Sequence, residues 1–308
     1  MKRRDFLRSL GMGAMGLWEV GRRLGVQKTV AAAEPTPLTG LQTGTPPTRK
    51  AKVLYFTRSV GFEHSPVKVG PDGKSFSDKI LDRLGQQYGF ELVSTKDGRI
   101  FDGNLEEFDL FCFYHCNDPT LPESIDKAPP MTQEGMKKLL SAVENGKGVV
   151  GLHSACYMGP RKPDQPLHPF LQMLGGEFLS HGEEQKATLR TVSPKFPGIA
   201  GLPEKMTIME EWYALHCFAP DLHVILVQET EGMKGPMYQR PPFPATWARL
   251  HGKGRVFFTS LGHREDLWES PQFQSILLGG ILWALGRAEA DITPNIRAVT
   301  PQAEPPKT

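Results

Sequence analysis

Three short apolar runs constrain this chain more than any other feature: KVLYFTRS at 52–59, DLFCFYHC at 109–116 and GVVGLH at 148–153. Each is strand-length and lacks polar alternation, the pattern of strands covered on both faces. The segments between them read as crossovers. DKILDRLGQQYG at 78–89 sets Ile80, Leu81, Leu84 and Tyr88 at helical spacing, with Ser77 as N-cap and Gly89 as stop. ELVSTKD follows as a second strand, and Thr132 caps a helix over QEGMKKLLSAVENG that ends at Gly146. Parallel neighbours need such crossovers, so the expected fold class is α/β: a doubly wound, mostly parallel central sheet.

The second half changes character. ATLRTVS, KMTIMEEWYAL, HVILVQET, TWARLHG and GRVFFTSLGH read as strands at short intervals with hairpin breaks such as HGKG, which predicts added antiparallel strands. PQFQSILLGGILWALG at 271–286 closes the domain as an apolar helix that Gly279 and Gly280 are expected to weaken or bend.

The two ends stand apart from this core. KRRDFLRSLG at 2–11 has the look of a twin-arginine export signal, with small residues at Ala31 to Ala33 for cleavage. Residues 1–33 are therefore read as signal peptide, 34–50 as a Pro/Thr/Gly linker, 51–290 as one domain and 291–308 as a disordered tail. The expected location is periplasmic or otherwise exported, with the twin-arginine machinery as a partner. Residues 1–33 carry seven Lys or Arg against two Asp or Glu, so their removal takes the formal charge from +2 to −3. A mildly acidic domain gives no case for nucleic acid. The four cysteines show no CxxC or zinc-finger spacing and are expected to be reduced core residues.

In open α/β sheets ligands bind beyond the C-terminal strand ends. There the sequence places Arg58, Glu63 and His64 after the first strand, His115 and Asn117 after the third, and His153 and Ser154 after the fourth. The second half adds His181 in SHG, Glu210, Glu211 and Tyr213 in MEEWYAL, and His263 in LGH. His153 stands at a turn of small residues, Gly151, Ser154 and Ala155, where imidazole can act as a base or bind a metal. Strand alternation puts Glu211 and Tyr213 on one face and Glu210 on the other. Trp212, Trp247 and Trp268 are either sugar platforms or core. His168 is expected to cap or pack, and His223 and His251 have no expected role.

The ordered motifs GKGVVGLHSACY, HPFLQMLGGEFLSHG, EEWYALH, PATWARLHGKGRVFFTSLGHRED and FQSILLGGILWALG resemble the ThuA-like family, named for trehalose utilisation, from about Lys52 to Arg287. The resemblance implies a class I glutamine amidotransferase-like (flavodoxin-like) fold. It also implies a role in sugar metabolism, with oxidised (3-keto) glucosides or disaccharides as substrates. Amidotransferases of that fold carry a nucleophilic cysteine where this chain has His153, so glutamine amidotransferase activity is not expected. The expected polar centre is His153, His181, Glu211 and His263, as acid/base residues or as ligands of a divalent metal such as zinc or manganese. Arg58, His64, His115, Ser154, Trp212 and Tyr213 are expected to contact the sugar. A non-catalytic sugar-binding protein and an interaction scaffold remain the alternatives, and a homo-oligomer is open.

Overall fold

The computed structural model describes residues 49–162 and 164–304, so the expected signal at 1–33 and most of the linker fall outside the described residues. The apolar runs become β1 (Ala51–Phe56), β3 (Leu110–Phe113) and β4 (Gly148–Leu152), with β2 at Phe90–Thr95. All residues of β3 and β4 are buried, as two-sided covering requires. Helix α1 (Phe76–Tyr88) starts two residues before the expected point. Its cap is Ser75, not Ser77: Ser75 Oγ accepts from Asp78 N, and the Asp78 carboxylate accepts from Ser75 N at 2.8 Å. Ser77 instead donates to Pro66 O at 2.8 Å inside the core. Helix α2 (Gln133–Glu144) is capped by Thr132 as expected.

One short helix and two strands come next: α3 (Pro169–Leu174), β5 (Glu177–His181) and β6 (Gln185–Thr191). The single strand expected over 205–215 is two, β7 (Lys205–Glu210) and β8 (Tyr213–His216), because the chain leaves the main sheet at Glu211 and Trp212. β9 (His223–Gln228), β10 (Phe243–His251) and β11 (Gly254–Thr259) complete the strands.

The main sheet has the order β2-β1-β3-β4-β11-β10-β9-β6-β7, while β5 and β8 pair in a separate ribbon. The five strands β2, β1, β3, β4 and β11 are mutually parallel, the flavodoxin-like order with β11 as its fifth strand. The other pairings, β11 to β10, β10 to β9, β9 to β6 and β6 to β7, are all antiparallel. Four reversals return β7 to the direction of β4. The C-terminal ends of β1, β4, β11 and β7 therefore lie on one edge of one sheet.

Two short helices and one long one follow: α4 (Glu265–Glu269), α5 (Pro271–Ala284) and α6 (Ile296–Val299). Gly279 and Gly280, expected to weaken or bend this helix, do not interrupt it: α5 runs unbroken through both. These glycines permit close packing. A Cβ at Gly279 would fall 1.9 Å from Pro197 O, and one at Gly280 2.5 Å from the Phe257 ring. Roughly 1 kcal/mol of lost helix propensity per glycine is thus offset by contact that no larger residue allows.

The tail expected to be disordered from 291 is ordered as far as Glu304. Ile296 and Ala303 are buried, Asn295 Oδ1 accepts from Val224 N, and the Glu304 carboxylate accepts from the amides of Cys217 and Phe218. Its few apolar residues were outweighed in the sequence by proline and charge. Cys112, Cys116 and Cys156 are buried, Cys217 is half-buried, and all four are free. Among the described residues no helix is long and apolar enough to cross a membrane.

Candidate metal centre

The buried strand β4 ends at His153, whose φ of +44° turns the chain abruptly. A non-glycine residue there costs about 1–3 kcal/mol, which the surrounding structure must sustain. The imidazole is thereby held over the sheet edge. Its Nδ1 donates to Ser260 O at 2.7 Å, and since a carbonyl only accepts, Nε2 is left as the basic nitrogen. That Nε2 is fully buried and without a hydrogen bond, 3.4 Å from Glu211 Oε2.

His263 follows β11 in the Leu261–Gly262–His263 turn, where Gly262 has φ +118°. Its Nδ1 lies 3.1 Å from Glu211 Oε2, poorly aligned for a hydrogen bond, and its Nε2 lies 3.3 Å from Glu184 Oε1. His64, on the loop after β1, brings its ring within 4.9 Å of His153 and 5.3 Å of His263, edge-on to both. One His64 nitrogen, Nε2, meets Tyr213 Oη at 3.4 Å, while Nδ1 is buried with no partner. Glu211 comes from the break between β7 and β8. One donor atom from each of His64, His153, Glu211 and His263 lies within 4.8 Å of the other three.

The electrostatics follow from this enclosure. Burial lowers His64 well below its ordinary value, helped by the charges of His153 and His263. Burial likewise lowers His153 against the opposing contact with Glu211. For His263 burial also works downward, but the Glu211 contact and charge outweigh it and the group is raised. Burial works to raise Glu211, yet His153 and His263 hold it far below the usual carboxylate range. The centre is one carboxylate facing imidazoles, two of which are kept neutral.

These residues suit a divalent cation. Neutral imidazole and carboxylate are the zinc ligand types, and two of the three histidines commit their second nitrogen to a carbonyl or carboxylate. Tetrahedral zinc at about 2.0–2.1 Å from nitrogen wants donors about 3.3 Å apart, so the donors need to close inward slightly.

The set differs from the expected one in a single member. His181 lies at the rim, its side chain 45% exposed, with Nδ1 3.2 Å from Glu211 Oε1 and 2.9 Å from Gly182 O. His64 takes its place among the four. Tyr213 is inside the centre, its ring centroid 4.0 Å from that of His153.

Four expected sugar contacts lie elsewhere. Arg58 is buried and donates to the carbonyls of Pro119, Pro122 and Ala128, stapling a loop. His115 is buried among Phe56, Phe113 and Phe170, and burial pushes it down to about 3. Ser154 Oγ donates to His115 O at 2.9 Å. Trp212 is core, its Nε1 donating to Gln185 O at 2.8 Å, and Trp247 and Trp268 are also buried with backbone carbonyl partners. His168 caps α3 through its Nδ1.

The residue that sequence reasoning missed as a ligand is His64. Its signal was its place after β1, at the β1/β3 reversal of a flavodoxin-like sheet. Cys156, three residues past the elbow, is fully buried and donates to His153 O, and burial pushes its thiol well up. It is not placed as a nucleophile. A second group, Glu177, His216 and Cys217, has its charge already satisfied by Arg161, which grips Glu177 at 2.7 and 3.0 Å and touches Cys217 Sγ at 3.3 Å.

The fold and site define a flavodoxin-like α/β protein with a three-histidine, one-carboxylate cluster at the C-terminal edge of its sheet. The family model for ThuA, described as trehalose utilisation, matches residues 52–284, and the chain belongs to that family. Membership gives it a carbohydrate-related role in general terms. No curated protein matches the sequence. Among solved structures, a ThuA-like protein from Parabacteroides merdae is 18% identical with a TM-score of 0.58, over 79% of this chain and 93% of that one. One from Bacteroides uniformis is 18% identical with a TM-score of 0.59, over 80% and 97%. A cytoplasmic protein from Salmonella typhimurium is 12% identical with a TM-score of 0.50, over 75% and 98%. At these identities the likeness is one of fold.

Proposed function

We propose that the protein is an exported enzyme that holds a divalent cation, zinc or manganese, through His64, His153, Glu211 and His263 and acts on oxidised (3-keto) glucosides or disaccharides. The observation that carries this reading is the set of buried imidazole nitrogens left without hydrogen bonds around one carboxylate. Orphaned buried polar atoms are costly, and a cation would satisfy them together. When bound with a coordination position left open to substrate, such a cation would supply Lewis-acid polarisation of a substrate carbonyl.

The protein's own residues supply the proton chemistry. His181 donates Nδ1–H to Gly182 O, which leaves Nε2 basic on a side chain that solvent and substrate can reach. A C3 ketone acidifies the C2–H bond. His181 Nε2 takes that proton, the electron pair forms the C1–C2 double bond, and the C1–O bond breaks with its electrons going to the leaving oxygen, which takes a proton from water. Tyr213 orients His64 and His153, and burial of the centre excludes water from the other nitrogens.

The test is elemental analysis of protein prepared without an affinity metal and incubated with zinc or manganese, together with turnover of 3-keto-glucosides. Near-stoichiometric metal is expected in the native chain and not in His153→Ala. His181→Gln should keep the metal and lose at least about 100-fold in turnover, the low end of acid/base contributions. Native protein that takes up neither metal sinks the cation reading, and undiminished turnover in His181→Gln sinks the base.

A further inference from the structure

One buried carboxyl group beside the centre touches none of its histidine rings. Glu210, the last residue of β7, is fully buried, and among the described residues no lysine or arginine pairs with it. Its carboxyl group accepts three backbone N–H groups. Oε1 accepts from Glu211 N at 2.9 Å and from His263 N at 3.1 Å, and Oε2 accepts from Gly262 N at 3.3 Å.

Those three amides belong to the two segments that carry Glu211 and His263. The segments are about fifty residues apart in sequence and meet only through the order of the sheet. The far side of the Gly262 peptide group is fixed as well, since Gly262 O accepts from Tyr114 Oη and from Trp268 Nε1, each at 2.8 Å. Two residues earlier, Ser260 O receives His153 Nδ1. The turn at 260–263 thus orients two histidines, and Glu210 is the group that ties it to the strand end bearing the carboxylate.

We propose that Glu210 is a positioning residue for the centre: by bridging the amides of Glu211, Gly262 and His263 it holds two donor-bearing segments at the spacing a shared cation needs. The chemistry requires a carboxyl group rather than any polar side chain. Three donors converge on two acceptor oxygens. Glutamine offers one oxygen and turns an NH2 group toward at least one N–H, and alanine leaves all three amides buried without acceptors. Aspartate is one methylene short of spanning both segments. The affinity consequence rests on the cation reading above, whereas the clamp itself does not.

The experiment compares Glu210→Gln with the native chain and with Ile208→Ala, a half-buried same-strand control whose loss of thermal stability is measured alongside. Two readouts are taken well below the unfolding temperature: zinc affinity by chelator competition, and hydrogen exchange of peptides covering 208–213 and 258–265. Glu210→Gln should bind zinc at least tenfold more weakly and exchange the 260–263 amides at least tenfold faster, while Ile208→Ala changes neither. Native exchange and native zinc affinity in Glu210→Gln overturn the proposal, as does an equal loss in Ile208→Ala. If the native chain binds no zinc, the cation reading fails and exchange alone decides: faster exchange confined to the turn upholds the clamp, and unchanged exchange refutes it.

Discussion

Glu211→Gln removes the charge on which the centre is built while keeping its shape, and its consequence can be read on His263. In the native protein two opposed effects act on that imidazole: burial lowers its proton affinity, and Glu211 raises it enough to win. The contact is 3.1 Å from Nδ1 to Oε2. Unit charges at that distance in an effective dielectric of 20 attract by about 5 kcal/mol, a ceiling that desolvation and solvent reduce. Glu184, 3.3 Å from the other ring nitrogen, remains in the variant but is more exposed and already shared with Arg264, so it compensates only in part.

The proton affinity of His263 should therefore fall at least about tenfold, equal to about 1.4 kcal/mol. The assay is NMR titration of metal-free protein with labelled histidine, His263 being assigned through His263→Gln. The sign also appears in stability. A raised imidazole stabilises the native state below its unfolded value and loses that contribution as pH rises through the folded one, so Glu211→Gln should flatten this alkaline-side loss. A His263 whose titration is unchanged in Glu211→Gln would mean that Glu211 does not set the charge of the centre.

Two further outcomes are expected. His115, pushed down to about 3 by burial, stays neutral in the native state, so its stabilising effect is complete above the unfolded value of about 6.5 and is lost on acidification. Between pH 7.5 and 5 that loss is about 2 kcal/mol, and His115→Phe should show a correspondingly shallower decline in denaturant midpoint; an identical slope would refute the assignment. Export can be tested separately with residues 1–33 fused to a reporter that crosses membranes only when folded. Replacing Arg3 and Arg4 by lysine should abolish its export, and undiminished export would remove the twin-arginine reading.

The parallel half of the fold was legible in the sequence because its strands are buried on both faces and its helices carry caps and glycine stops. The break at Glu211 and Trp212 was not, because MEEWYAL has the composition of one continuous strand. Alternation still put Glu211 and Tyr213 on the site side. It gave no hint that Glu210 turns back to bind the amides of the LGH turn, since hydrogen bonding to a distant backbone leaves no trace in local pattern.

By itself the sequence determined the family, the class of sheet and the collection of histidines at strand ends. Those follow from local forces: apolar runs, caps, and the φ freedom of glycine. Only the tertiary structure decided which histidines meet. His64, His153, Glu211 and His263 span two hundred residues and follow four different strands, which share an edge only because four antiparallel steps return β7 to the direction of β4. The same order buried Arg58, His115, Ser154 and Trp212 and left His181 at the rim, because burial and side-chain direction are set by which strands are neighbours and not by the residues on either side in sequence.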